Sequence, residues 1–123
     1  MKKKILITGA AGYIGSSLTT KLVLLGHNVI ALDNLSLTKN SLSHLFLRNN
    51  FKFINGDVRN RILISKVIKD IDFIIPLAAL VGAPLCDKFP KLTKEVNLES
   101  IKYILKKIKK NQKIIYPNTN SGY

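Results

Sequence analysis

Short apolar runs alternate along the chain with segments in which apolar residues recur at helical spacing. The apolar runs predict strands over residues 4–8, 28–33, 51–55, 72–77 and 113–117. The segments between them predict helices over 13–25, around 42–47, over 61–69 and over about 92–110. The expected apolar stripe of the last helix consists of Ile101, Ile104, Leu105 and Ile108.

This alternation is typical of α/β proteins. Strands that are joined through helices lie parallel, and their crossovers are right-handed almost without exception. The predicted strands consist mostly of Val, Ile, Leu and Phe, as expected when helices cover both faces of a sheet. We therefore predict one domain over residues 1–123, with an α/β fold and a doubly wound Rossmann-type parallel sheet in the order 3-2-1-4-5.

The chain is strongly basic, with 20 Lys and Arg residues against 7 Asp and Glu residues and a formal net charge of +13. Such a balance suits a nucleic acid or an anionic membrane surface. No nucleic-acid-binding motif accompanies the charge, so we interpret it as a solvated lysine surface and expect neither partner. A basic nucleic-acid binder that reuses the fold is the weakest alternative.

Cysteine usage and the longest uncharged segment indicate a cytoplasmic protein without a metal site. Cys86 stands alone, which excludes an internal disulfide and a cysteine-based metal cluster. Residues 73–86 lack charge but contain Pro76, Gly82 and Pro84. These breakers predict a buried strand followed by a loop that carries Cys86, rather than a membrane span.

The segment ITGAAGYIGSS, after the first predicted strand, carries three glycines at intervals of three residues. Gly9 allows the sharp turn from strand to helix, and Gly15 allows close packing of the helix. Gly12 has no Cβ, so a pyrophosphate can approach the backbone, and the helix N-terminus offers it N–H groups and a partial positive charge. Because the glycines follow a strand and open a helix, they predict a dinucleotide site.

Asp33 ends the second predicted strand, 18 residues after Gly15. An acid at this place accepts hydrogen bonds from the adenosine ribose hydroxyls and repels a 2′-phosphate. No arginine follows it, and Lys39 is the nearest cation. The cofactor predicted from these residues is NAD rather than NADP, and the alternative is that Asp33 merely forms a turn.

The segments TGAAGYIGS, LDNLS, GDVRN and PLAALVGAP resemble those of the extended short-chain dehydrogenase/reductases, within the NAD-dependent epimerase/dehydratase family that acts on nucleotide sugars. The resemblance runs from Lys4 to Tyr123. It implies that the glycine-loop backbone, with Tyr13 and Ile14, contacts the pyrophosphate. It also implies that the ribose binds to Asp33 and Asn34.

The resemblance extends to the later strand ends. It implies that Asp57 binds the adenine amino group beside the backbone of Val58. It implies that Asn97, on the long helix, steadies the active-site strand ends. The residues implied to lie under the nicotinamide ribose are Leu77, Ala78 and Ala79.

The final segment, YPNTNSGY, is similar to the end of the family's fifth strand, which carries a catalytic hydroxyl. Counting back from Tyr123 assigns this role to Thr119, which would donate a hydrogen bond to the reacting sugar oxygen. Without the resemblance, the composition favours the interpretation that Thr119 and Ser121 are loop hydroxyls that cap a strand end.

The family's acid/base is a tyrosine four residues before a lysine, and it lies beyond the fifth strand. Tyr103 and Lys107 have this spacing but stand on the helix before that strand, so we interpret them as an i, i+4 surface pair. We therefore expect a C-terminally incomplete domain, the N-terminal part of a longer enzyme, which is inactive alone. Pro76 stands where the family usually has histidine, and it is expected to end the fourth strand.

The predicted function is that of a nucleotide-sugar epimerase or dehydratase in full-length form, with transient hydride transfer between a sugar carbon and bound NAD. A nucleotide sugar is then the expected substrate, and the resemblance allows a homodimer of the complete enzyme. The alternative is a non-catalytic NAD-binding module that stands alone. The sequence does not choose between epimerase and dehydratase.

Overall fold

A computed structural model describes residues 1–118, which fold into a parallel sheet with helices on both faces. The strands are β1 (Lys4–Thr8), β2 (Asn28–Asp33), β3 (Phe51–Asn55), β4 (Phe73–Pro76) and β5 (Lys113–Ile114). The helices are α1 (Tyr13–Leu24), α2 (Arg61–Val67), α3 (Ala83–Lys88), α4 (Pro90–Lys94) and α5 (Ser100–Lys107), with a π-helical segment at Glu95–Glu99. The strand order is β3-β2-β1-β4-β5, which confirms the predicted topology.

The two faces of the sheet are covered by separate apolar clusters, as the strand composition predicts. Ile5 and Ile7 of β1 point to one face, where they pack in a cluster with Val23 of α1. Leu6 points to the other face and packs in a cluster with Ile64 of α2 and Ile104 of α5. Because successive side chains of a strand alternate, β1 is the central element of both clusters.

The carboxyl ends of the first four strands lie side by side. Thr8 of β1 pairs in register with Leu32 of β2 and with Pro76 of β4, and Asp33 pairs with Asn55 of β3. The loops that leave these strands therefore emerge along one edge of the sheet, which is where α/β proteins bind ligands.

Pro76 is the last residue of β4, as expected, and does not break the ladder to β1. The N–H group of the next residue, Leu77, donates to the Thr8 carbonyl at 2.9 Å. Ile74, which has the same orientation as Pro76 in the strand, accepts from the N–H group of Ile115 on the opposite side. The missing N–H group of Pro76 thus faces the side on which β5 has already ended.

Three details of the predicted elements are wrong. Cys86 lies in helix α3 rather than in a loop. The long helix begins at Pro90 and contains the π segment, which no pattern predicted. Leu105 is 54% exposed, whereas Ile104 is buried, so the apolar stripe is narrower than the periodicity indicated.

The remaining boundary differences are small. The helix predicted around residues 42–47 is a 3₁₀ turn at Ser43–Leu45, and α2 ends at Val67. Strand β5 is shorter than predicted, because only Lys113 and Ile114 pair with β4. Shifts of one or two residues at the ends of elements are ordinary, and the largest difference in this group is the three residues by which β5 is shorter.

Candidate dinucleotide-binding site

A cavity of about 350 Å³ lies at the carboxyl edge of the sheet and opens between the loops after β1, β2, β3 and β4. Nine of the residues expected to bind the cofactor line it: Gly9, Gly12, Asp33, Asn34, Asp57, Val58, Leu77, Ala78 and Ala79. Tyr13, Ile14, Gly15 and Asn97 are not part of its lining. The structure therefore brings together residues that are up to 70 positions apart, counting from Gly9 to Ala79.

The outer two glycines of the loop are required by the fold itself. Gly9 has a φ of +68°, and a Cβ there would lie 2.5 Å from the backbone nitrogen of Ala78. A Cβ on Gly15 would lie 2.2 Å from the carbonyl oxygen of Gly9. These geometries confirm the turn and the close helix packing that the sequence predicts for Gly9 and Gly15.

Gly12 has no comparable structural reason to be glycine. Its φ of −72° is open to any residue. A Cβ there would meet only the Gly9 carbonyl oxygen, at 3.3 Å, a slightly tight contact. Gly12 does line the cavity, so a side chain at this position would lie at the cavity wall.

Helix α1 begins directly after Gly12 with its N-terminus uncapped by any described side chain, and its first turn contains no acidic residue. The first backbone N–H groups of a helix lack intrahelical partners and carry a partial positive charge. The side chain of Tyr13 is 94% exposed, and that of Ile14 is also exposed. Neither residue lines the cavity, and both contribute backbone N–H groups to the first turn of α1.

Asp33 ties the end of β2 to the glycine loop. Its carboxylate accepts hydrogen bonds from the N–H groups of Ala11, at 2.9 Å, and Leu35, at 2.8 Å. Leu35 has a φ of 58°, a strained conformation for leucine that the second of these bonds helps to hold. The hydroxyl groups of Thr38 and Ser41 both donate to the Ala11 carbonyl. The whole loop after β2 is thereby fixed against the glycine loop.

Asp57, at the start of the loop after β3, is held by Arg59. The Arg59 Nη2 lies 2.8 Å from Asp57 Oδ2, and its backbone N–H group donates to Asp57 Oδ1 at 2.8 Å. The side-chain hydrogen bond from Arg59 lowers the pKa of the Asp57 carboxyl. Arg59 Nη1 in turn lies 2.9 Å from Oε2 of Glu95, and these hydrogen bonds raise the pKa of its guanidinium group. Asp57 thus stays a carboxylate.

Asn97, within the π segment, holds the loop after β4. Its Oδ1 accepts from the N–H group of Leu80 at 2.8 Å, and its Nδ2 donates to the Leu80 carbonyl at 2.8 Å. The side chain therefore satisfies both the backbone N–H group and the backbone carbonyl of Leu80, the residue after Ala79. Because π segments insert an extra residue into a helix, they can direct a side chain that an unbroken helix would turn away.

Sequence reasoning missed part of the cavity wall. Two groups of residues belong to it: Ser36, Leu37 and Thr38 after β2, and Leu80, Val81, Leu85, Phe89, Leu92 and Val96 after β4. The first group could have been found, because it directly follows Asp33 at a carboxyl end. In the second group, Leu85 belongs to α3, for which the apolar periodicity gave no signal, whereas Leu92 and Val96 lie within the predicted long helix.

Thr119, the expected catalytic hydroxyl, lies outside the described residues. Tyr103 contacts Lys107, whose Nζ lies 5.6 Å from the ring centre, as the predicted pair requires. Its hydroxyl group is 2.6 Å from that of Ser65, and its ring belongs to the edge of an apolar cluster, so it is not a simple surface residue. Tyr103 does not line the cavity of the glycine loop.

Residues 1–118 contain neither a candidate metal-binding cluster nor a candidate membrane-spanning helix. These residues contain no group of three His, Cys, Asp or Glu side chains that could hold a metal ion. None of their helices has the length and apolar character needed to cross a membrane.

Comparison with known proteins places this site in a family. The model of the NAD-dependent epimerase/dehydratase family matches residues 5–123. The UDP-N-acetyl-alpha-D-glucosaminuronate decarboxylase of Bacillus cytotoxicus is 32% identical over 124 residues, which cover 100% of this chain and 38% of that protein. The CDP-paratose 2-epimerase of Salmonella typhi is 32% identical over 127 residues, covering 98% of this chain and 38% of that protein. The chain therefore spans about 38% of the length of these relatives.

A solved structure has the same fold. The UDP-glucuronic acid 4-epimerase of Bacillus cereus, in complex with UDP-glucuronic acid and NAD, has a TM-score of 0.85 and is 30% identical. The match covers 96% of this chain and 40% of that one. The chain belongs to the NAD-dependent epimerase/dehydratase family, whose cofactor is the one that the glycine loop and Asp33 predict.

Proposed function

We propose that this chain is the N-terminal, NAD-binding part of a nucleotide-sugar epimerase or dehydratase. The observation that carries the proposal is Gly12, which neither backbone conformation nor packing requires to be glycine. It lines the cavity at the uncapped start of α1. A bare backbone beside a helix N-terminus fits the pyrophosphate of a dinucleotide.

The residues around the cavity suit the rest of the cofactor. Asp33 and Asn34 would bind the adenosine ribose, and Asp57 with the backbone of Val58 would bind the adenine. Three consecutive residues of the loop after β4, Leu77, Ala78 and Ala79, would lie under the nicotinamide ribose. Bound NAD supplies reversible acceptance of a hydride. The chain itself supplies position, through Asn97 and Leu80, and charge.

The substrate is part of the same proposal. Both relatives are named for nucleotide sugars, UDP-linked in one and CDP-linked in the other, and we propose this substrate class for the complete protein. Thr119 would donate its hydroxyl hydrogen bond to the sugar oxygen that becomes a carbonyl. A cytoplasmic location and a homodimer of the complete protein are further parts of the proposal.

Substitution of Gly12 tests the cofactor site. A Gly12→Val side chain would fill the approach to the backbone, so we expect the Kd for NADH to rise about tenfold or more, measured by calorimetry. The Leu24→Ala variant is the control, because Leu24 is exposed at the opposite end of α1 and does not line the cavity; its NADH affinity should be unchanged. Equal NADH affinity in Gly12→Val and the parent chain would overturn the proposal, as would a correctly folded parent chain that binds no NADH.

A non-catalytic NAD-binding module would give the same result in that experiment. The two functions differ in turnover of a nucleotide sugar by the complete protein. A complete protein that binds NAD but converts neither UDP-linked nor CDP-linked sugars would favour the module.

A further inference from the structure

The peptide unit between Ala11 and Gly12 is held on both of its sides. The Ala11 carbonyl accepts hydrogen bonds from the hydroxyl groups of Thr38, at 2.5 Å, and Ser41, at 2.7 Å. The N–H group of Gly12 donates to the Gly9 carbonyl at 3.2 Å. Because a peptide unit is planar, these three hydrogen bonds together fix its orientation.

The orientation of this unit matters for an anion at the start of α1. The next N–H groups along the chain, those of Tyr13 and Ile14, lie in the first helical turn, where such groups lack intrahelical partners. They follow directly on Gly12, and glycine restricts the backbone less than any other residue. The direction of these donors therefore depends on contacts that hold the glycine loop from outside.

The two hydroxyl groups also change the charge that the loop presents. A carbonyl oxygen has two lone pairs, and two donors bind the carbonyl oxygen of Ala11. An unpaired carbonyl oxygen next to Gly12 would repel an anion that approaches the backbone there. The hydroxyl groups offset the partial negative charge of this oxygen, which favours an anionic ligand.

Thr38 and Ser41 differ in their relation to the cavity. Thr38 lines it, whereas Ser41 does not. A substitution of Thr38 thus alters both the cavity wall and the hydrogen bond to Ala11. A substitution of Ser41 alters the hydrogen bond away from the wall, so Ser41 is the cleaner probe of an effect that passes through the loop.

We infer that Thr38 and Ser41 are positioning residues for the phosphate-binding backbone. Their hydroxyl groups hold the Ala11–Gly12 peptide unit so that the N–H groups at the start of α1 face the pyrophosphate of a dinucleotide. This inference rests on the proposed NAD site. It gives the loop after β2 two separate tasks, because Asp33 serves the ribose while the two hydroxyl groups serve the phosphates through the glycine loop.

The test compares ADP with adenosine, which has the same base and ribose but no phosphate. The parent chain should bind ADP at least about tenfold more tightly than adenosine. In the Thr38→Val/Ser41→Ala double variant, the ADP affinity should fall about tenfold, since each lost hydrogen bond costs about threefold. The adenosine affinity should stay within about twofold of the parent value. Displacement of NADH, followed by its fluorescence, measures both affinities.

Single variants show whether the hydroxyl groups are responsible. Thr38→Ser keeps the hydroxyl group and should keep the ADP affinity, whereas Thr38→Val should lose about threefold. Ser41→Ala should also lose about threefold, although Ser41 does not line the cavity. Ser43→Ala is the matched control, because the Ser43 hydroxyl group donates to the Asn40 carbonyl at 2.9 Å in the neighbouring turn. Its affinities for both ligands should equal those of the parent chain.

The outcomes separate this inference from the proposed site. If the parent chain binds neither NADH nor ADP, the proposed site fails. If it binds NADH but the double variant keeps the full ADP affinity, the site stands and the positioning role is refuted. An equal loss of ADP and adenosine affinity also refutes it, because that pattern means a general distortion of the loop after β2. A loss in Thr38→Ser as large as that in Thr38→Val refutes the role of the hydroxyl group. Should the double variant fail to fold, Ser41→Ala and Thr38→Ser decide the result.

Discussion

The three glycines of the first loop are alike in sequence but differ in the reason for their presence. Gly9 has a positive φ, and Gly15 is closed in by the Gly9 carbonyl oxygen. Gly12 meets neither restriction. The fold would allow a side chain at position 12, and the position borders a cavity. The glycine there is therefore better explained by our proposal of ligand binding than by folding.

Asp33 leads to a prediction about the preference for NADH over NADPH. Its carboxylate lines the cavity and should repel the 2′-phosphate of NADPH, so the parent chain should bind NADH at least about tenfold more tightly than NADPH. Asp33→Asn removes the charge at nearly constant shape, and the ratio of the two Kd values should shrink. Fluorescence titration with both cofactors measures that ratio.

Asp72→Asn is the control for this measurement. Asp72 is an acid that accepts from the N–H group of Lys4 at 2.8 Å, at the opposite end of β1. Its loss should leave the ratio of the Kd values unchanged. An NADPH affinity in the parent chain that exceeds the NADH affinity would contradict the role given to Asp33.

Single residues of the candidate site were predictable where the signal lies in the neighbouring sequence. Gly12 follows the first strand and Asp33 ends the second, at a fixed spacing from each other, so the sequence alone indicated them. The pairing of Arg59 with Glu95 was not predictable, because no local pattern relates residues 36 positions apart. Only the sheet order and the long helix bring these two side chains together.

At the scale of elements, the strands were easier to predict than the helices after β4. Each strand is an apolar run whose side chains are buried on one or both faces of the sheet. Pro84 was interpreted as a loop residue, but it lies in the first turn of a short helix, where proline is well tolerated, and Pro90 has the same place in α4. The same local signal is therefore compatible with a loop and with a helix start.

Helix α1 provides a prediction about packing. In an open helix, Gly→Ala stabilises by about 1 kcal/mol. In Gly15→Ala the new Cβ would lie 2.2 Å from the Gly9 carbonyl oxygen and 2.9 Å from Ala10 Cα. Since both are backbone atoms, α1 must move away, and we expect a loss of about 1–3 kcal/mol in the free energy of unfolding, measured by urea denaturation.

Gly12→Ala is the matched control for that loss. Its Cβ would have a single contact, at 3.3 Å from the Gly9 carbonyl oxygen, so the free energy of unfolding should change by less than about 0.5 kcal/mol. Stabilisation by Gly15→Ala would show that α1 does not pack on the glycine loop as described.

For the molecule as a whole, the dominant electrostatic feature is the formal net charge of +13. Among residues 1–118, the basic side chains in ion pairs are those of Arg59 and Lys102. Most of the 20 lysines and arginines thus repel one another across the surface. Mutual repulsion of like charges destabilises the compact state.

Salt should therefore stabilise the protein. Because the Debye length falls from about 30 Å at 0.01 M to about 10 Å at 0.1 M ionic strength, added NaCl screens the repulsion, and the urea midpoint should rise over this range. The Lys52→Gln/Lys110→Gln double variant removes two exposed positive charges. It should have a higher midpoint than the parent chain at low salt and a smaller gain from NaCl.

The same charge could instead serve a nucleic acid, and the salt experiment extends to that alternative. Binding of a labelled DNA duplex, followed by anisotropy, should be weak, with a Kd above about 10⁻⁶ M at physiological salt, as for non-specific contacts. A urea midpoint that falls with NaCl would mean that attractive pairs outweigh repulsion. Tight DNA binding that falls steeply with salt would make the lysine surface a binding face rather than a solvated one.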